Sequence, residues 1–219
     1  MDKALVLLSG GQDSCTCLYW AKKVFSEVEG ICFDYGQRHK VELDAARIIA
    51  EKASVKLSKI PINSFKALGN NSLTGEAEVS SKLGDNQLPN TFVPGRNLIF
   101  LFYAAAFAYE KNIVNLVGGM NQTDYSGYPD CRNNTLLAME LAINLGMDKE
   151  FHIHAPLMYK TKKDIWALAH ELGCLDVVKE ISHSCYNGVR GGCGECQACT
   201  LRLKGLRDFE ESIKSRRET

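Results

Sequence analysis

Residues 4–14 read Ala-Leu-Val-Leu-Leu-Ser-Gly-Gly-Gln-Asp-Ser, and this stretch decides the fold. Ala4 to Leu8 is an apolar run of strand length, and Cys15 to Phe25 is a helical stretch. The turn Ser9-Gly10-Gly11-Gln12-Asp13-Ser14 therefore joins a strand to the unpaired N–H groups that open a helix. Those groups and the helix dipole favour an anion. Gly10 and Gly11 let it approach the backbone, and Ser9 and Ser14 add hydroxyl donors. Asp13 is a carboxylate suited to Mg²⁺ or to capping the helix. A Gly-Gly turn with a cap is the plainer alternative, but the flanking strand and helix favour nucleotide binding. The G-x-x-x-x-G-K-[ST] loop of terminal-phosphate chemistry is absent, since no Lys follows the glycines.

Outward from this turn, strand and helix patterns alternate. Strands are predicted near 3–9, 28–34, 55–62, 113–119 and 151–157, and helices near 13–25, 39–53, 96–111, 132–146 and 161–173. The second helix places Val41, Leu43, Ala45, Ile48 and Ile49 near helical period. Phe100 to Tyr109 is apolar almost all round, which predicts a helix buried on several sides. Alternation of this kind implies an α/β fold, a parallel five-stranded sheet with helices on both faces. Ligands of such sheets sit beyond the C-terminal strand ends, where the glycine turn lies. Residues 69–91 break the rhythm and read as a lid or a surface excursion. The chain ends in a charged helix, Thr200 to Arg217, that carries Leu201, Leu203, Leu206 and Phe209.

The 219 residues suit one domain, or one domain with a small appendage. We expect a catalytic unit over 1–180 and a knuckle with its helix over 181–219, part of the same compact body. Lys+Arg and Asp+Glu both number 26, so the basic excess of a nucleic-acid binder is missing and nucleic acid is not an expected partner. The longest apolar runs are too short to span a membrane, and the N-terminus reads as a strand rather than a signal peptide; no membrane partner and a cytoplasmic location are expected.

Nine cysteines are present, and four of them fall at Cys185, Cys193, Cys196 and Cys199. Clustering in a cytosolic chain points to a metal rather than disulfides. The C-x7-C-x2-C-x2-C spacing lets four thiolates converge, and Gly188, Gly191, Gly192 and Gly194 supply tight turns. Four thiolates suit a closed, structural Zn²⁺ site; the spacing alone also admits a [4Fe–4S] cluster. His183 is close enough in sequence to replace a ligand, but reads better as a loop histidine. Cys15, Cys17, Cys32 and Cys174 read as core; Cys131 is set apart by its neighbours.

The SGGQDS turn resembles the PP-loop of ATP pyrophosphatases (adenine nucleotide alpha hydrolase-like folds), which grip the β,γ-phosphates and cleave between α and β. Together with Tyr35-Gly36-Gln37-Arg38-His39, Thr91 to Asn97 (TFVPGRN), Thr123 to Arg132 (TDYSGYPDCR), Pro156-Leu157-Met158 and Cys185-Tyr186-Asn187-Gly188 before the later cysteines, the chain resembles the 7-cyano-7-deazaguanine synthase family of queuosine biosynthesis nearly end to end. The resemblance implies an ATP-dependent C–N ligase taking 7-carboxy-7-deazaguanine, ammonia and ATP, with Mg²⁺ accompanying ATP, structural Zn²⁺ on the four cysteines, and a homodimer. It departs in Tyr159-Lys160-Thr161-Lys162-Lys163, where alignment gives Lys162 the phosphate position with Lys160 and Lys163 as competitors, and in a Cys185–Cys193 gap shorter than in some relatives.

On this reading Leu7, Leu8, Ser9, Gly10, Gly11, Gln12, Asp13 and Ser14 hold ATP, and Lys162, Asp13 and Arg96 are the catalytic group. Arg96 suits phosphate or the substrate carboxylate, with a structural ion pair as its alternative. Asp124 or Asp130 accepts from the N–H edge of the deazaguanine, Tyr125 or Tyr128 stacks on its ring, and Arg132 pairs with its carboxylate; turn capping is the plainer role for either aspartate. The competing reading is a tRNA-thiolating PP-loop enzyme, which would need a basic face and a second cysteine pair near the site.

Overall fold

The computed structural model describes residues 2–37, 40–65, 91–122 and 128–217. Asp124, Tyr125 and all of the 69–91 segment but Thr91 lie outside them. Five strands, β1 (Lys3–Leu7), β2 (Glu27–Asp34), β3 (Lys56–Pro61), β4 (Asn115–Val117) and β5 (His152–His154), form one sheet in the order β3-β2-β1-β4-β5, every pair parallel. The order reverses between β1 and β4, so the chain end of β1 opens into the crevice where doubly wound sheets bind ligands.

Between strands run α1 (Gln12–Val24), α2 (Val41–Lys52), α3 (Arg96–Glu110) and α4 (Asn133–Met147), the last preceded by a 3₁₀ turn at Pro129–Cys131. After β5 come α5 (Lys162–Glu171), α6 (Leu175–Glu180) and α7 (Gln197–Arg217). Alternation along β1 splits the core. Ala4 and Val6 join α1, α2, α5, α6 and Phe209 of α7 on one face; Leu5 faces α3 and α4 with Ile31, Leu101, Ala104 and Ile143. Cys15, Cys17, Cys32 and Cys174 are buried, as expected.

Three expectations need adjusting. The paired parts of β4 and β5 span three residues each, not seven. After Val117 the chain turns onto the start of α1, so closely that a Cβ on Gly119 would stand 3.1 Å from the Ser14 nitrogen. α6 follows Cys174 unannounced. α3 is apolar all round but buried along one face only; Phe102, Tyr103 and Tyr109 lie on its exposed side.

Candidate active site and metal centre

Gly10 sets the turn after β1. Its φ is +89°, and a Cβ there would lie 2.2 Å from the Glu42 carbonyl oxygen and 2.8 Å from the Ala46 nitrogen. Only glycine permits this approach of the loop to α2. Within the loop the Ser9 hydroxyl donates to the Ser14 hydroxyl at 3.0 Å and accepts from the Gly11 N–H at 3.3 Å; Ser14 also reaches the Gly11 carbonyl at 3.1 Å. Gly11, the N-cap of α1, gives no side-chain cap, so the helix start faces the crevice with its first amides available. Gln12 is 3% exposed, and its Nε2 is a buried donor without a hydrogen-bond partner. A buried amide left unsatisfied beside open helix amides fits a site that awaits a polyanion.

Lys162 stands across this opening. Its Nζ lies 3.0 and 2.8 Å from the two Asp13 carboxylate oxygens. Thr161 fixes its direction, capping α5 in a reciprocal box with Asp164 and so setting the helix phase. Gly205 of α7 packs on the same residue, since a Cβ there would be 2.5 Å from the Lys162 Cβ. Lys163 is exposed, and Lys160 lines a separate depression with Leu137 and Tyr159. Of the three lysines, Lys162 is the one brought to the glycine turn.

Both belong to a cleft of about 320 Å³, in the range of small-molecule pockets. Leu7 and Leu8, Phe33 and Tyr35, Arg96 and Asn97, Tyr128 and Cys131 form one wall; His183 to Tyr186 and Arg202 form another. Arg96 reaches the Tyr35 hydroxyl at 3.4 Å. Burial works against its charge, but Tyr35, Tyr128, Asp130 and Glu42 around it raise its pKa above the ordinary arginine value. Tyr128 is hydrogen-bonded to Thr91 at 2.5 Å and stacked on Phe92 with centroids 5.6 Å apart.

Asp130 is used differently. Its Oδ2 accepts the Asn97 N–H at 3.0 Å, capping α3, and it does not line the cleft. Arg132 is exposed at the N-cap of α4, also away from the cleft. Two cleft residues escaped the sequence reading. Glu42 on α2 carried no motif signal beyond its place after the Tyr35–His39 segment. Arg202 on α7 looked like one more charge on a solvated helix, yet donates to the Ser182 hydroxyl at 2.7 Å, the Ser184 hydroxyl at 3.2 Å and the Val178 carbonyl at 2.6 Å.

Beyond the cleft wall, the ligand atoms of Cys185, Cys193, Cys196 and Cys199 all lie within 4.8 Å of one another. The Cys193 and Cys199 sulfurs are 4.0 Å apart, close to the ~3.8 Å edge of a tetrahedron with Zn–S bonds of about 2.3 Å. The Cys196 N–H points at the Cys193 sulfur from 3.3 Å, and main-chain donation of this kind, from Cys196 and Glu195, lowers the Cys193 thiol pKa. The donor set fits a closed four-thiolate metal site. His183 stays outside it: its ring Nε2–H donates to the Cys185 carbonyl at 3.1 Å, while its main-chain N–H donates to the Gly10 carbonyl at 2.9 Å. The knuckle and the glycine turn are thus tied through one residue.

A glycine turn at the reversal of a parallel sheet, open helix amides and a facing lysine define a nucleotide-binding α/β fold of the PP-loop type. Two solved structures share that fold at 18% identity. A predicted subunit of tRNA methyltransferase from Methanocaldococcus jannaschii has a TM-score of 0.52, covering 78% of this chain and 75% of that one. A 4-thiouridine synthetase in an RNA complex with bound ATP has a TM-score of 0.56, covering 96% of this chain and 51% of the other. The chain belongs to the family described as queuosine biosynthesis protein QueC, whose profile matches residues 3–210. Similar to it are the 7-cyano-7-deazaguanine synthases of Laribacter hongkongensis, 56% identical over 94% of this chain and 90% of that protein, and of Chromobacterium violaceum, 55% identical over 94% and 89%. That of Clostridium botulinum strain Langeland is 47% identical over 97% and 98%.

Proposed function

We propose that this chain is an ATP-dependent ligase that converts 7-carboxy-7-deazaguanine and ammonia into 7-cyano-7-deazaguanine in queuosine biosynthesis. The observation that carries the reading is Lys162 held over Asp13 at the open start of α1, in a chain of this family. Carboxylate and amide oxygens are poor leaving groups, so each is first activated. The substrate carboxylate attacks the α-phosphorus of ATP and pyrophosphate leaves; ammonia displaces AMP and gives the amide. The amide oxygen attacks a second ATP, and loss of AMP leaves the nitrile. Both rounds place the same carbon beside the same phosphorus, so one cleft serves for both.

The α1 amides, Ser9, Ser14 and the orphaned Gln12 Nε2 hold the phosphates, with Leu7 and Leu8 beside the nucleoside. Asp13 would hold the Mg²⁺ that accompanies ATP, which would neutralise phosphate charge there, and Lys162 turns to the charge growing on phosphorus and pyrophosphate. Arg96 meets the substrate carboxylate at the other end, with Tyr128 against the ring. Asp124 takes the N–H edge, since Asp130 is engaged with α3, and Tyr125 is the alternative ring partner. Zn²⁺ on the four cysteines has a structural part only. The catalytic unit covers 1–180, and 181–219 closes one wall of its cleft.

The enzyme works as a cytoplasmic homodimer. No helix among the described residues is long and apolar enough to cross a membrane. On α4, Leu137, Leu141 and Leu145 are 58%, 60% and 76% exposed and repeat every fourth residue, beside a groove of Ala138, Ala142 and Gly146. A ridge next to a groove on one helix is self-complementary, as a two-fold contact requires. Sedimentation of a Leu141→Arg variant as a monomer, against a wild-type dimer, checks it.

Mass spectrometry of products from the metal-loaded protein, Mg-ATP, 7-carboxy-7-deazaguanine and ammonium tests the reaction. The nitrile should appear with two AMP and two pyrophosphate for each. Absence of both nitrile and substrate-dependent AMP release would refute the reading.

A further inference from the structure

The proposed reaction has a proton balance that the residues assigned so far do not meet. Ammonia enters with three N–H bonds, and the nitrile nitrogen has none. One proton leaves when the C–N bond forms and AMP departs. Two more leave as the activated amide loses its second AMP. Each needs an acceptor beside the reacting carbon.

Among the described residues, the side chains lining the cleft include two carboxylates and one imidazole: Asp13, Glu42 and His183. Both Asp13 oxygens face Lys162 at the phosphate end. The His183 Nε2–H donates to the Cys185 carbonyl, which ties its ring to the cysteine knuckle and leaves Nδ1 as the accepting nitrogen. Of the two carboxylates, Glu42 is the one not held by Lys162. It lies in the first turn of α2, and its own carbonyl oxygen is the atom against which Gly10 packs, so the residue borders the glycine turn. Its side chain is half-buried and open to the cleft while protein surrounds it on the other sides.

We propose that Glu42 is the general base of this enzyme, taking protons from the substrate nitrogen during amide formation and nitrile formation. Its carboxylate accepts an N–H proton as the C–N bond order rises and the C–O bond to AMP breaks, then returns the proton to water through the open cleft. Burial pushes the Glu42 carboxyl up to about 7, against a lowering pull from Arg96. A base of that pKa is half ionised at neutral pH, where proton transfer is most effective. Among the described residues, the charged and phenolic groups that act on it are Arg96 from α3 and Tyr35 after β2; on α2 itself Asp44 turns outward to Arg190.

The inference rests on the proposed reaction, and its test separates the two. Wild type and Glu42→Gln are compared in acid-dependent exchange between ATP and labelled pyrophosphate, without ammonium, and in amide and nitrile formation followed by mass spectrometry. The Gln variant should lower nitrile formation about 100-fold or more, with the exchange rate falling at least about tenfold less, since adenylation removes no N–H proton. Amide should persist in its mixtures, and Glu42→Asp should recover part of the rate. At fixed free ammonia, the wild-type nitrile rate should rise with pH through about 7, and the Gln variant should lose that limb. Nitrile formation within about threefold of wild type, or an equal fall of exchange and nitrile formation, would overturn the assignment; the latter would place Glu42 in substrate or Mg²⁺ binding. Matching thermal melting curves exclude a folding defect. A wild type that makes no nitrile sinks the reaction itself, and this inference with it.

Discussion

Two glycine-rich segments bracket the cleft, and they owe their shape to different forces. In the turn after β1, glycine is required for space: a Cβ on Gly10 would meet main-chain atoms of α2 at 2.2 and 2.8 Å. In the cysteine knuckle, Gly191 and Gly194 have φ of +81° and +76°, and a Cβ on either would meet nothing within 4 Å. There glycine supplies a backbone direction alone. The first segment is held by packing and exists as a binding surface before any ligand arrives. The second packs chiefly its own cysteines with Tyr186 and Ala198, and its four sulfurs lie close enough together for one metal ion to close it.

Removing the metal should therefore have the largest effect. Cys196→Ser takes away one of four buried or half-buried thiols. Structural zinc supplies about 10–16 kcal/mol of binding free energy in small zinc-dependent peptides. Here α7 is also held by Phe209 in the core, so we expect a smaller loss, on the order of 5 kcal/mol, with metal content falling to near zero by elemental analysis. Ligase activity should fall with it, because His183 and Arg202 link the knuckle to the cleft wall. A zinc-free variant with an unchanged melting temperature would erase the distinction between the two segments.

Next in size is Gly10→Ala. Backbone atoms cannot move aside as a flexible side chain does, so α2 and the turn must separate. A stability loss of about 3 kcal/mol and a fall in ATP-dependent turnover of about 100-fold are expected, with bound metal retained. Denaturant melts with turnover assays on the same preparation check this.

What the chain reveals in one dimension follows the same division. The strand–turn–helix after Ala4 and the four cysteines are local patterns, and both are read from adjacent residues. The alternation of elements was equally plain, because apolar runs of strand length stand apart from longer helical ones. Contacts between distant segments were not legible. Asp130 caps α3 from 33 residues downstream; the sequence offered it equally to the substrate. Glu42 and Arg202 reach the cleft only because α2 and α7 flank the β1 turn. The exposed ring face of α3 was misread because apolar composition does not state which side the sheet occupies. Lys162 was separable from its neighbours in principle, since Thr161 and Asp164 spell a capping box that fixes the helix phase.

A smaller effect tests whether α7 bears on the glycine turn through Lys162. Gly205 sits where a Cβ would approach the Lys162 Cβ to 2.5 Å and its carbonyl carbon to 2.9 Å. Gly205→Ala should displace α5 against α7 by a fraction of an ångström and disturb the Lys162–Asp13 geometry. We expect a cost of about 1–3 kcal/mol and a roughly tenfold loss of turnover, seen in kcat more than in metal content. Unchanged kcat with lowered stability would make the contact purely structural.

The smallest expected effect is the sharpest test of the contrast. Gly191→Ala adds a methyl group where space is open, so nothing need move, and only the positive φ is penalised. A left-handed L-residue costs about 1 kcal/mol, which for a chain of this length lowers the melting temperature by roughly 2–4 °C. Metal content and turnover should match wild type. Gly10 has a similar φ, +89° against +81°, so conformational strain alone predicts the same modest loss at both sites. If Gly191→Ala proves as damaging as Gly10→Ala, backbone direction explains both segments. If the costs separate, the difference measures what close packing adds at the phosphate turn.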